Sequence, residues 1–446
     1  MKCKWRIIAA MAAVTAVLLT GCQSGQSGQE TAPAGSEETT QTEGSSGGAE
    51  NSGSSGSLTV AIWDKNQEPG LTEIIKGFTE ETGIKAQIQV TPWEQYWTML
   101  EAGATGGSLP DVFWMHSNEI ARYSEYEMLL DLTERIKSSD KLEMDKFPED
   151  IVGIYNWEGT KQYAVPKDID TIALWYNKTM FDEAGIPYPD ESWTWDTFAD
   201  AAEKLTKPDG SQYGFALRPT NDQAGWNNIV YDMGGYVISE DKKSSGFSQE
   251  GTIKALNFIT GLMKEGYAPP YEVIAENTEE ALFEAGKVAM ITQGSWMLPE
   301  LCNNDYVKAN CDIALLPKDG ETGKRISIYN GLGWAASANT AMPEEAWKLI
   351  EYMGSKEAQQ KQSDLGVVIS AYEGTVDNWV KAYPDFNLQA YLDMMEDLVI
   401  RPYSKSTVAW NNMINEKLIG AWTGERSVEE VCKEIDQEMN AMLAQE

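Results

Sequence analysis

Hydrophobic and polar positions change period repeatedly along the chain. Leu58 to Trp63 is a short apolar, β-branched run, a helical pattern follows to about Glu81, and Ile84, Ala86, Ile88 and Val90 then alternate with Lys85, Gln87 and Gln89. This predicts strand, helix, strand. A second helix is expected from near Trp93 to the glycine-rich segment Gly103 to Gly107, and Asp111 to Met115 gives a third strand, continuously apolar as in a sheet covered on both faces. The alternation implies an α/β fold with a parallel, doubly covered sheet. Further on, Thr194 precedes a helix over 195–205, Pro343 opens one with Ala346, Leu349, Ile350 and Met353 on one face, and Ser427 with Glu430 makes a capping box.

The first 57 residues lie outside this pattern. Lys2, Lys4 and Arg6 precede an uncharged run from Ile7 to Thr20, the length of a secretory signal and too short to span a bilayer comfortably. Leu19, Thr20, Gly21 and Cys22 resemble the bacterial lipobox, so residues 1–21 are expected to be removed and Cys22 to be lipidated. Two acyl chains on one residue would tether the protein to the outside of the cell membrane. From Gln23 to Ser57 the chain has no aromatic or branched aliphatic side chain, so residues 22–57 read as a lipidated Cys and a flexible linker.

A length of 446 residues favours two domains. The formal net charge of −34 would repel a phosphate backbone, which excludes nucleic acid as a partner. Three cysteines remain beyond the first 57 residues. Cys302 and Cys311 are close enough in sequence to form one bridge, a pairing the sequence leaves open, and Cys432 lies on the apolar helix face of Val431, Ile435 and Met439. One histidine, no CxxC and no HExxH give no metal site, and nothing calls for a cofactor.

In open parallel sheets ligands sit beyond the carboxyl ends of the strands. That rule selects Asp64 and Lys65 after the first strand and His116, Ser117 and Asn118 after the third. Asp168 and Asp170, two apart on an extended segment, would project to one side and accept hydrogen bonds from hydroxyls. Gly331, Gly333 and Ala336 match a dinucleotide-binding spacing but lie far from the first strand–helix turn, so they read as a tight loop.

The stretches GGSLPDVFWMHSN, YAVPKDIDTIALWYNKTMFDEAGI, WTWDTFADAAEKLT, FEAGKVAMITQGSWMLPEL and ISIYNGLGWAASANTAMPEEAWKLIEYMGS resemble the extracellular solute-binding proteins of bacterial sugar ABC importers, the maltose-binding-like family. The resemblance runs from Leu58 to the C-terminus. It implies a two-lobed periplasmic-binding-protein-like fold, each lobe a mostly parallel sheet flanked by helices, with a ligand cleft closed by a hinge. The N-terminal lobe is expected at 58–168 and 319–365, the C-terminal lobe at 169–318 and 366–446. Motif by motif, the resemblance carries the family's ligand contacts onto Asp64, Lys65, Ser117 and Asn118 beside His116, Asp170, Trp296 of GSW, and Trp410, with Arg401 and Tyr403 near it. Where maltose binders have a charged pair after the third strand, this chain has Ser117 and Asn118, which counts against maltodextrin itself.

These residue types suit a sugar. A pyranose has an apolar C–H face for a flat indole such as Trp296 and a fringe of hydroxyls for a carboxylate such as Asp170. Trp226, Tyr329, Asn330 and Trp334, in loops with small or polar neighbours, are further cleft candidates, whereas Trp347 on a helix is left to packing. The expected protein is a monomeric, non-enzymatic, membrane-anchored receptor that delivers a neutral sugar or oligosaccharide to an ABC permease. The alternatives are a surface lectin with the same site chemistry or a secreted glycoside hydrolase, because Asp168 and Asp170 could stand about 6 to 7 Å apart.

Overall fold

The computed structural model describes residues 56–446, which form one compact unit. The expected signal peptide, Cys22 and most of the linker lie outside the described residues.

The chain begins with β1 (Leu58–Ile62), α1 (Glu68–Thr82), β2 (Ala86–Val90), α2 (Trp93–Gly106) and β3 (Val112–Met115). Leu71, Ile74, Ile75 and Phe78 recur at helical spacing and are the buried face of α1. Each contributes on the order of 1.5–3 kcal/mol by leaving water. Gly83 ends this helix at φ 74°, a left-handed turn that a side chain would oppose, and its N–H closes on the Thr79 carbonyl. β1 pairs in parallel with β2 from Leu58 opposite Ala86 to Ile62 opposite Val90, and on its other edge with β3. β2 is half-exposed in alternation, as its sequence predicts, and β3 is buried throughout.

The sheet is completed by Gly333–Ala336 and Ala164–Pro166, in the order β2, β1, β3, 333–336, 164–166. Here the expectation of parallel strands is modified, because 333–336 runs antiparallel to both neighbours. The three-stranded sheet is antiparallel, with Ile172–Asn177 between Cys311–Ala314 and Met290–Gly294. Its central strand alternates between two cores. Ala173 and Trp175 join the core of the five-stranded sheet, while Ile172, Leu174 and Tyr176 join a second core of helices.

Two short ribbons lie near the junction: Asp168–Ile169 with Ile369–Ser370, and Ser327–Tyr329 with Leu398–Ile400. Residues 318–326 bond to the second core's elements, Lys318 N–H to the Trp193 carbonyl at 3.0 Å and Ile326 N–H to Asp232 Oδ1 at 2.6 Å. Conversely, Val367 packs so tightly on α1 that a methyl at Gly70 would meet it at 2.3 Å, and Glu373 N–H bonds the Lys146 carbonyl at 2.8 Å.

The capping signals hold. Thr194 accepts from Thr197 N–H and Ser427 from Glu430 N–H. Trp347 is buried, as is Cys432. Cys302 and Cys311 are both free thiols buried in the first core, which resolves the open pairing against a bridge. Among the described residues no helix is long and apolar enough to cross a membrane.

Candidate functional site

β1 ends at the turn that carries Asp64. Burial raises the pKa of its carboxyl, and the bonds it accepts from Asn66 N–H at 2.8 Å and Gln67 Nε2 at 2.9 Å stabilise the anion and offset only part of that rise. Gln67 accepts in turn from Lys167 Nζ at 2.8 Å. Lys167 is fully buried, bonds Asp168 at 2.6 Å and sits 4.5 Å above the Trp114 ring. The remaining Asp168 oxygen accepts from Leu332 N–H at 2.8 Å. Both carboxylate oxygens of Asp168, expected beside Asp170 at the ligand, are thus engaged by Lys167 and by the Leu332 backbone. Lys65 is exposed.

His116 directly follows β3 and is 9% exposed. Asn118 N–H lies 3.1 Å from its Nδ1, which makes that nitrogen the acceptor and puts the proton on Nε2, 3.1 Å from the Asn330 amide. A donating Nε2–H requires the Asn330 oxygen to face it, an amide orientation that also satisfies an oxygen otherwise left buried without a partner. Burial, with the nearby Arg401 charge, holds the imidazole well below its ordinary 6.5 and therefore neutral. Ser117 is buried beside it.

Asp170 is half-buried and accepts from Asn330 N–H at 2.9 Å and Gln223 Nε2 at 2.6 Å. Desolvation, and after it repulsion from Asp168, lift its carboxyl well above 3.8 against those bonds and the Arg401 charge. Arg401, 5% exposed, reaches across to both Asn118 and Asp222. The result is two linked rows, Asn118–Arg401–Asp222 and His116–Asn330–Asp170–Gln223, assembled from five separate stretches of chain.

Asp222, Gln223 and Lys167 were not foreseen as site residues. The signal for the first two was the polar run Thr220 to Gln223 just before Trp226. Lys167 stands inside a quoted motif, but nothing in its neighbours says that its ammonium is buried.

The expected aromatic contacts differ in their surroundings. Trp226 is 1% exposed with its indole N–H on the Pro219 carbonyl, and Trp410 is 1% exposed with its N–H on Ser404; both belong to the second core. Trp334 is buried in the strand between β3 and 164–166, and Tyr329 is buried while its carbonyl accepts from Arg401 N–H. Each has its polar or flat surface occupied by protein. Trp296 differs. It is half-buried in the turn after Met290–Gly294, where a methyl at Gly294 would land 2.0 Å from the ring, so the missing side chain lets the indole lie on the backbone. Tyr403 is half-buried under the Lys242 ammonium, 3.2 Å from its ring centroid.

The chain is similar to known proteins over most of its length. The family described as bacterial extracellular solute-binding protein matches residues 64–360. A galactooligosaccharide-binding protein of Bacillus subtilis is 28% identical over 316 residues, which cover 68% of this chain and 70% of that protein. A maltooligosaccharide ABC transporter solute-binding lipoprotein of Streptococcus pneumoniae is 23% identical, covering 78% of this chain and 76% of its own length. In fold, an ABC substrate-binding protein of Listeria monocytogenes solved with cycloalternan superposes with a TM-score of 0.80 at 22% identity, covering 87% of this chain and 99% of that one.

Proposed function

Because the chain belongs to the bacterial extracellular solute-binding protein family, we propose that it is the receptor that captures a neutral sugar or oligosaccharide and presents it to an ABC importer. The observation that carries this is the pair of hydrogen-bonded rows, together with a half-buried Trp296 in the turn whose Ser295 N–H bonds the carbonyl of Thr171, the residue after Asp170. Asp170, Gln223 and Asn118 offer acceptors and donors to hydroxyls, and Trp296 offers a flat apolar face to the C–H side of the ring. Arg401 is already neutralised by Asp222, which favours an uncharged ligand over a uronate or a phosphorylated sugar.

The two lobes of this proposal follow the contacts. Residues 319–326 go with the second lobe and 366–376 with the first, a shift of each expected boundary by several residues, and the two short ribbons serve as the hinge. Sugar contacting both lobes stabilises the closed form by its differential affinity, and closure is what the permease reads. Lipidation of Cys22 would hold the receptor at the membrane, with residues 23–57 as its leash. Family membership makes the protein a binder, not an enzyme. Asp168 fits the same reading: it is committed to Lys167 and Leu332, as Asp222 is to Arg401, so neither stands free beside Asp170 as a partner for hydrolysis.

The test is a thermal-shift panel of mono- and oligosaccharides on residues 56–446, followed by calorimetry and recovery of the ligand. A rise in melting temperature with the sugar recovered intact is expected. Release of new reducing ends, or no shift with any sugar, refutes the proposal.

A further inference from the structure

One buried carboxylate touches both the loop of Gln223 and the strand that leads to Trp296. Glu279 opens the short helix Glu279–Glu284 and is 1% exposed. Its Oε2 accepts from Arg218 Nε at 3.0 Å, and its Oε1 accepts from Asn221 Nδ2 at 3.4 Å and from Gln293 Nε2 at 3.3 Å. Arg218 and Asn221 begin the loop that delivers Asp222 and Gln223 to the polar rows, and Asn221 N–H closes that loop on the Arg218 carbonyl at 3.0 Å. Gln293 precedes Gly294, the last residue of its strand, which pairs opposite Ile172. Trp296 therefore leaves the three-stranded sheet at the same end at which Asp170 enters it.

We propose that Glu279 is a positioning residue for sugar binding: without contacting the ligand, its carboxylate fixes the Gln223 loop relative to Trp296. The proposal rests on the sugar-receptor reading above. The neighbouring donors call for a carboxylate and not merely a polar side chain. Asn221 Oδ1 accepts from Ala224 N–H at 3.2 Å and Gln293 Oε1 from Gly294 N–H at 2.9 Å, so neither amide can turn its oxygen toward Glu279 without stranding a backbone donor. Both amides thus present N–H groups, and the Arg218 guanidinium presents a third. An ionised carboxylate is acceptor on both oxygens and meets all three, whereas a glutamine would set its NH2 against a donor. Arg218 matches the charge and holds Glu280 as well, at 2.8 Å, which makes these charge-assisted bonds in a place closed to water. Binding groups held by such a supporting layer have less freedom to lose when the ligand arrives.

Calorimetry with galactose, glucose, a β-1,4-galactotriose and maltotriose, on the wild type, Glu279→Gln, Trp296→Phe and the double variant, tests this beside melting temperatures. On the sugar that the wild type binds most tightly, Glu279→Gln is expected to lose about tenfold in affinity at unchanged stoichiometry. Trp296→Phe is expected to cost less affinity in the Glu279→Gln background than in the wild type, by about threefold, because the ring there is already out of place. A Glu279→Gln protein that melts lower but binds with wild-type affinity would make the carboxylate a matter of stability alone and overturn the inference. Equal cost of Trp296→Phe in both backgrounds overturns it too, and both of these results leave the receptor reading intact. Failure of the wild type to bind any of the four sugars overturns that reading and the inference with it. If Glu279→Gln does not fold, Asn221→Ala, at a half-buried loop position, decides on the same two readouts.

Discussion

Arg401 Nη2 meets both carboxylate oxygens of Asp222, at 2.6 and 2.9 Å, while its other terminal nitrogen meets the amide oxygen of Asn118. Both charges are nearly buried. Such a pair adds little net stability because desolvation offsets its attraction, but removing one member strands the other charge. Asp222→Asn is therefore expected to lower stability by about 3 kcal/mol in urea unfolding, while the double change Asp222→Asn with Arg401→Met recovers part of that loss. Equal stability of Asp222→Asn and the wild type would contradict the pairing.

Asp170 gives a pH test. Its folded-state pKa lies above the unfolded value of about 3.8, so the folded chain takes up protons between those two values. Folding weakens as pH rises through that window and stays weakened above it. Asp170→Asn keeps an oxygen for Asn330 and Gln223 and removes this cost. Its melting temperature should match the wild type near pH 4 and exceed it at pH 7 to 8, while sugar affinity at pH 7 falls at least tenfold. A gain largest at low pH would have the wrong sign.

His116 is the single histidine, so the tag-free protein has one imidazole C2–H resonance. Its NMR titration midpoint should fall well below 6.5. A depressed His pKa gives stability that is full above 6.5 and is lost as pH drops below it, because the unfolded chain binds the proton first. A midpoint at or above 6.5 would mean that the ring is solvated or paired with an anion.

Two tryptophans separate packing from binding. Trp410→Ala opens a hole in the second core and should cost about 3–5 kcal/mol in denaturant unfolding. Trp296→Ala, at a half-buried turn, should cost under about 2 kcal/mol and yet weaken sugar binding at least tenfold. The reverse ranking would exchange their roles.

Thiol counting checks the cysteines. Residues 56–446 unfolded without reductant should release three titratable thiols, from Cys302, Cys311 and Cys432. The folded protein should react slowly, since burial pushes the Cys311 and Cys432 thiols up to about 12. One thiol in the unfolded chain would reveal a bridge.

Much of the fold was legible along the chain. The alternation of β2, the unbroken apolar run of β3 and the caps at Thr194 and Ser427 are local patterns, and local patterns act within a few residues. Strand direction was less legible, since 333–336 joins β3 from more than 200 residues away and its sequence is apolar whichever way it runs.

The sequence by itself determined the first three strands and the helices between them, the helix starts at Thr194, Pro343 and Ser427, and the family, because each is written in spacing and short motifs; it read 333–336 as a tight loop where the structure has a strand. Tertiary structure alone decided which polar groups meet. Asp170 and Asp168 have the same side chain two residues apart, yet one faces Asn330 and Gln223 while the other is consumed by Lys167 and Leu332. Trp410 and Trp296 are likewise the same residue type with opposite surroundings. The physical reason is that solvation and hydrogen bonding depend on groups brought close from distant parts of the chain, and a linear pattern does not carry that distance.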